Sequence, residues 1–377
     1  MGGVNVSRPS WVEVDLRAVA HNVRQLVRHV GGAALCAVVK ADGYGHGAPQ
    51  VAKAAVANGA VWVAVATVEE GVQLRDEGID TPVLLLSEPP PDDHKDVIAH
   101  QITPTVYSLA TIEQLASTAL RLGTGYLAVH LKVDTGMHRV GAPLRMLPEL
   151  VHRVVETGVL RVGGLWSHFS VADSDPDYTT AQIRTYLRAV SHVPSVVTGG
   201  GPPPLRHLAN TPGALFHPES HLDMVRTGLG IYGLYPRPCA EEIIDLRPVM
   251  KIVSHVSHVL RHPAGSRPSY GRMRPLADAS AVATIPIGYA DGVPRMISEG
   301  GEVLIGGQRF PLAGRVTMDQ LLVEVGGHPV AVGDEAVLVG RQGEQLLSID
   351  DWARLSDTIN YEVVSRIGPR LPRRYIS

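Results

Sequence analysis

The chain has 377 residues, 45% of them hydrophobic and mostly Ala, Val and Leu, with a formal net charge of -3 and two cysteines. That length suits one large barrel-type domain with a smaller partner. The small net charge and the lack of basic clusters exclude nucleic acid or an anionic membrane as the main partner. Cys36 and Cys239 are too few for a disulfide scaffold and lack the paired spacing of a zinc site, so no metal is expected. Residues 1–10 carry no apolar signal region and no apolar stretch is long enough to span a bilayer, which predicts a cytoplasmic protein.

From Leu16 to about Tyr235 helical patterns alternate with short Val/Leu-rich runs, the signature of a parallel α/β architecture. Helix candidates include residues 16–30, 48–58 and 144–157. The strand-like runs are residues 34–40, 61–67, 82–87, 102–107, 126–134, 162–168, 206–210 and 229–234. Eight such units predict a (β/α)8 barrel of the TIM type over residues 11–238. Past Pro236 the texture turns to strands broken by turns, at residues 249–260, 280–287, 302–305, 321–325 and 336–339. This predicts a second, mainly β domain over residues 239–377, with residues 1–10 left to pack on either. Ser348 and Asp351 have the spacing of a helix N-cap for a stretch through Asn360.

Chemistry in such a barrel gathers at the carboxyl ends of its strands. Lys40 ends the first run, Lys132 and Asp134 the fifth, His168 the sixth, and Asn210 with Thr211 the seventh. Lys40 follows Leu35, Cys36, Ala37, Val38 and Val39. Burial there disfavours the ammonium, and a neutral lysine amine condenses with carbonyl groups. Gly43, Gly45 and Gly47 free the backbone for a tight turn just beyond it.

The string AVVKADGYGHG around Lys40 resembles the cofactor-lysine motif of alanine racemases, which are fold-type III enzymes of pyridoxal 5'-phosphate (PLP). The resemblance extends over nearly the whole chain, through LKVDTGMHRVG at 131–141, WSHFSVAD at 166–173, HLANTPGAL at 207–215, VRTGLGIYGLYP at 225–236, PSYG at 268–271, IPIGYADGVPR at 285–295, GRVTMDQ at 314–320 and INYEV at 359–363.

The resemblance implies a PLP-dependent isomerase that interconverts L- and D-alanine and supplies D-alanine for peptidoglycan. Racemisation needs two bases flanking a planar carbanion, with the cofactor as electron sink. By resemblance, Lys40 holds PLP and is one base, and Tyr270 is the other. A tyrosine phenol titrates near ~10, so such a base needs help, and His168 is its implied hydrogen-bonding partner. Arg226 matches the arginine placed against the pyridine nitrogen, which an arginine does not readily protonate. Tyr44, Asn210, Thr211, Gly228, Leu229 and Tyr361, with His168, match positions around the cofactor. The family usually has serine where Thr211 stands, and Pro212 removes one backbone donor.

Arg139 and the Met318 amide match the substrate-carboxylate contacts, and Tyr289, Asp173, Arg295, Arg315 and Ile359 match positions lining the substrate entrance. Lys132 matches a lysine that is commonly carbamylated. The resemblance also implies a head-to-tail homodimer whose composite sites take Tyr270 and Met318 from the partner subunit. Alternatives are a racemase of serine or another small amino acid, a non-catalytic PLP carrier or homeostasis protein, and a fold-type III decarboxylase. A carrier would have no use for Tyr270 as a second base, and the GYADG and TMDQ strings favour the racemase over the decarboxylase. No GxxxxGK[S/T] or GxSxG motif occurs, and Asp173, Asp175 and Asp177 lack the glycine and glutamate of a calcium loop.

Overall fold

The computed structural model describes residues 8–191, 193 and 202–377. The first seven of the residues left to pack on either domain lie outside that set. The chain divides into two units. One comprises Arg17–Gly43 and Ala48–Arg247; the other comprises residues 8–16, Tyr44–Gly47 and Pro248–Ser377.

The first unit is a closed barrel of eight parallel strands, as expected. In chain order they are Ala34–Val38, Ala60–Val65, Val83–Leu85, Ile102–Val106, Leu127–Asp134, Leu160–Trp166, Leu205–His207 and Met224–Thr227. Each pairs with its neighbour. The fourth meets the fifth through Thr105 and His130, and the eighth returns to the first through Arg226 and Cys36. Strands buried on both faces need near-continuous apolar runs, which is why ALCAV and AVWVAV read so clearly. The helix Leu16–Val30 buries Val19, Val23, Leu26 and Val30, an i, i+4, i+7, i+11 stripe. Within that stripe Asn22 is fully buried, and its amide bonds the Ile231 and Arg247 carbonyls at 3.2 and 2.9 Å.

The eighth strand departs from expectation. The run at 229–234 is not a strand: Leu229–Tyr232 is a 3-10 turn closed by Gly233 at φ 72°. The strand lies just before it, at Met224–Thr227, and carries the buried Arg226. An arginine in a barrel wall breaks the apolar signature, while the glycines of LGIYG fit a turn that brings the backbone close to its neighbours.

The second unit is mainly β, with one larger sheet and one of three strands. The run at 249–260 is two strands, Met250–His255 and His258–His262, which belong to different sheets. Between them the Val256 amide bonds Asp334 and the Ser257 amide bonds Thr284, so the chain changes partners there. Ser10–Asp15 is a strand of the larger sheet. It runs antiparallel to Met250–His255 and parallel to Arg373–Ile376, and Val12 and Val14 are fully buried. The change of texture at Pro236 could not reveal this, because the paired strands lie far apart in sequence. Ser348 and Asp351 form a reciprocal capping box on the helix Ile349–Leu355, which stops short of Asn360. Asn360–Ser365 is a separate helix, and Asp357 between them sits at φ 51°.

Candidate active site

Lys40 leaves the carboxyl end of the first barrel strand half-buried. Burial pushes its ammonium pKa below the ordinary lysine value; the Arg139 charge adds to this and Glu70 opposes it. After Lys40 the backbone makes a left-handed turn, with φ of 52°, 50°, 61°, 53° and 77° at Ala41, Asp42, Gly43, Tyr44 and Gly45. Three of these five residues carry side chains, for which such a conformation costs roughly 1 kcal/mol or more each. The turn has dedicated support. Glu70 accepts the Ala41 N–H at 2.6 Å through one oxygen and the Ala66 N–H at 2.8 Å through the other. Asp42 accepts the Ala48 N–H at 3.0 Å. Glu70 was missed in the sequence, where it reads only as the N3 residue of a helix capped by Thr67.

Arg226 is buried, and burial lowers its pKa to about 10, leaving it a cation at neutral pH. Its Nη1 bonds Nδ1 of His207 at 2.7 Å, and Nη2 bonds the Ser167 and Leu208 carbonyls at 2.8 and 3.1 Å. Nη2 also lies 3.4 Å from Nδ1 of His168. A guanidinium only donates, so Nδ1 of His207 is an acceptor and its ring proton sits on Nε2. That proton is given to Nδ1 of His130, 2.9 Å away. Both rings are neutral: burial first, then the Arg226 charge, holds His207 well below the usual histidine range and His130 down to about 3. The same causes, in the same order, lower His168. Neither His130 nor His207 was singled out from sequence, since a histidine in an apolar run carries no signal of its partner.

Lys132 lies on the same strand as His130. It pairs in register with Trp166, which pairs with His207, and its Nζ sits 4.2 Å from the centre of the Trp166 ring. It is buried, and burial together with the Arg226 and Arg139 charges lowers its pKa to about 7. Asp134 at the end of the same strand does not pair with the lysine. It accepts the backbone N–H groups of Gly136, Met137 and His138 at 2.9, 3.0 and 3.1 Å, folding the loop that ends in the exposed Arg139.

Asn210 caps the short helix Thr211–Phe216 by accepting the Gly213 N–H at 3.0 Å. Pro212 sits in the first turn, where its missing N–H would have no intrahelical partner, so its presence removes little. Thr211 Oγ1 is buried and accepts the Gly228 N–H at 3.2 Å and the Gly230 N–H at 3.4 Å. With its acceptor side occupied, the hydroxyl proton is free to point at an anion. The Gly228 amide, at a position matched to the cofactor's surroundings, is thus bonded to Thr211.

Apart from Asp173 and Leu229, which belong to the barrel unit, the remaining candidates fall in the second unit. Tyr44 and Tyr361 face each other with ring centroids 6.4 Å apart, and burial pushes the Tyr44 phenol up to about 12. Tyr270 rides a tight turn flanked by Ser269, Gly271 and Arg272 at φ 66°, 74° and 47°, and is 73% exposed. Ser269 Oγ donates to the Arg315 carbonyl at 2.6 Å. Tyr289, Met318 and Ile359 are exposed too.

Two family models match the chain: "Alanine racemase, N-terminal domain" over residues 14–236 and "Alanine racemase, C-terminal domain" over residues 249–375. The chain is 42% identical over 370 residues to an alanine racemase of Symbiobacterium thermophilum, covering 98% of this chain and 97% of that protein. Its fold is similar to the structure of an alanine racemase from Streptomyces coelicolor, with a TM-score of 0.92 at 36% identity over 99% of both chains. A histidine racemase from Leuconostoc mesenteroides is also similar, with a TM-score of 0.89 at 29% identity over 98% of this chain and 99% of that one. With matches that run through both units and almost end to end, this chain belongs to the alanine racemase family.

Proposed function

We propose that the chain interconverts L- and D-alanine by a two-base mechanism, with PLP as cofactor and Lys40 and Tyr270 as the opposed proton carriers. The observation that carries this reading is Lys40 itself: a half-buried amine of lowered pKa at the carboxyl end of a barrel strand, within a chain that matches alanine racemases throughout.

The barrel residues fit a phosphorylated pyridine aldehyde. Lys40 offers an amine for the carbonyl carbon. Arg226 uses both terminal nitrogens within the protein, while its Nε makes no hydrogen bond among the described residues and suits a ring nitrogen. Thr211, whose Oγ1 accepts two backbone N–H groups, keeps a hydroxyl proton to donate to a phosphate oxygen. When bound, PLP supplies the electron sink for the negative charge left at the substrate α-carbon.

The chain's own residues do the rest. Arg139, whose planar fork matches a carboxylate, and the Met318 N–H hold the substrate carboxylate. Lys40 takes or returns the α-proton on one face, helped by the lowered pKa that keeps more of its amine neutral. Tyr270 does so on the other face, with His168 as its hydrogen-bonding partner. Arg226 stays charged against the ring nitrogen without surrendering its proton, which keeps the sink weak and the α-carbon basic. Tyr289, with Asp173, Arg295, Arg315 and Ile359, lines the way in.

We assign the working form to a cytoplasmic head-to-tail homodimer, in which Tyr270 and Met318 of one subunit complete the site built on Lys40 of the other, and its product to peptidoglycan synthesis. The exposure of Tyr270, Met318 and Ile359 in the single chain supports the dimer. No helix among the described residues is long and apolar enough to cross a membrane.

Borohydride reduction followed by peptide mapping tests the cofactor and its lysine, and chiral chromatography of an amino-acid panel that includes serine and histidine tests the substrate. Label on a peptide other than that of Lys40, or inversion of serine in preference to alanine, would overturn the assignment. Mixing Lys40→Ala and Tyr270→Phe chains tests the dimer, because one competent composite site should reappear.

A further inference from the structure

Asp291, in the GYADG string, is fully buried, yet it is an acid in a loop whose neighbour Tyr289 is exposed. Burying a carboxylate is expensive unless it is paired and hydrogen-bonded. Here Oδ2 accepts from Arg8 and from the Gly288 N–H at 2.8 Å, while Oδ1 makes no hydrogen bond among the described residues and is held by an ion pair 3.3 Å from Nε of Arg370. The same guanidinium reaches further, with its Nη2 bonding Oδ1 of Asp319 at 2.6 Å. Two arginines and two aspartates thus balance to zero charge, and the chain of contacts ends on the residue after Met318.

The backbone repeats the connection. Tyr289 N–H donates to the Thr317 carbonyl and Ala290 N–H to the Met318 carbonyl, each at 3.0 Å. Gly288 is pressed so close that a Cβ there would lie 2.2 Å from the Thr317 oxygen. The Thr317 carbonyl and the Met318 N–H belong to one planar trans peptide and point in opposite directions. Fixing the carbonyl on Tyr289 therefore aims the Met318 N–H away from that loop. No hydrogen bond of the Met318 N–H occurs among the described residues.

We infer that Asp291, acting through Arg370 and Asp319, is a positioning residue that aims the Met318 N–H at the substrate carboxylate and holds Tyr289 beside it. The inference rests on the reading of Met318 as a carboxylate contact. Loss of the clamp lets the two loops slide, which weakens binding of the carboxylate in ground and transition state alike. That pattern raises KM and leaves kcat nearly unchanged.

The test uses the holoenzyme and its Asp291→Asn, Arg370→Gln, Asp319→Asn and Met318→Pro variants. KM and kcat for alanine are measured together with the inhibition constant of propionate, a carboxylate of similar size without an amine. Cofactor absorbance reports whether PLP is retained. Asp291→Asn should raise KM and the propionate constant about tenfold, and the two variants of the exposed Arg370–Asp319 pair, which carry less risk of misfolding, about threefold, with kcat within about twofold throughout. Unchanged KM and propionate constants in both exposed-pair variants overturn the inference. Met318→Pro removes the N–H while leaving the Asp291, Arg370 and Asp319 side chains in place. If it leaves propionate binding intact, the carboxylate reading of Met318 fails; if it weakens binding while the clamp variants do not, only the clamp fails.

Discussion

Gly164 makes room for His130: a Cβ on Gly164 would lie 2.5 Å from Nδ1 of the histidine ring and 2.6 Å from its Cε1. The two residues are paired in register on adjacent barrel strands. The ring that fills this space is the far end of the column from Arg226 through His207, so a missing side chain on one strand sets where a proton sits on another.

Gly164→Ala should therefore destabilise the protein by about 1–3 kcal/mol, the range for forcing a methyl into a packed interior. Urea unfolding of the holoenzyme measures it, and a change below about 0.5 kcal/mol would mean that the ring moves aside freely.

The neutral histidines couple stability to pH. A folded-state pKa below the unfolded one means that the unfolded chain binds more protons in between, so stability is present above about pH 6.5 and is lost as pH falls toward the folded value. For His130, held down to about 3, the loss between pH 7 and pH 5 is about 2 kcal/mol, and His207 and His168 act in the same direction. Unfolding free energies at the two pH values give the slope, which should be shallower in His130→Asn. Equal stability at pH 7 and pH 5 would contradict the neutral column.

Tyr270→Phe removes one proton carrier and leaves the other. Racemisation should fall by roughly 10²–10⁴-fold, the usual contribution of a positioned acid or base. In deuterated water one enantiomer of alanine should still exchange its α-proton through Lys40 without inverting. Proton NMR distinguishes this from loss of both activities, the result expected if Tyr270 were merely structural.

How much of this could be read in the sequence depended on how local each signal was. Lys40 was legible because its apolar strand and glycine turn are contiguous, and the helix Leu16–Val30 because its stripe is periodic. Arg226 was identified by resemblance while its strand was misplaced, since a charged residue in a barrel wall defeats a search for apolar runs. His130, His207, Glu70 and Asp291 each have a partner far away in the chain, and no short window of sequence contains both halves of such a contact.

Lys132 should react with carbon dioxide. At a pKa of about 7 much of its amine is neutral near physiological pH. Attack of Nζ on the carbon forms a C–N bond, releases one proton and leaves a carbamate anion, which replaces repulsion from Arg226 and Arg139 by attraction. A carbamate signal in ¹³C NMR with labelled bicarbonate, absent from Lys132→Ala, is the expected result. An unmodified amine under saturating bicarbonate would refute it.

The cations at the barrel mouth have a consequence for anything dissolved around the protein. Arg226 leans on neutral histidines and backbone carbonyls, with no carboxylate among its bonded partners. Its field should favour small inorganic anions at the mouth. Sulfate or phosphate in a buffer should therefore compete with the proposed PLP, whose affinity measured in phosphate would describe displacement of one anion by another.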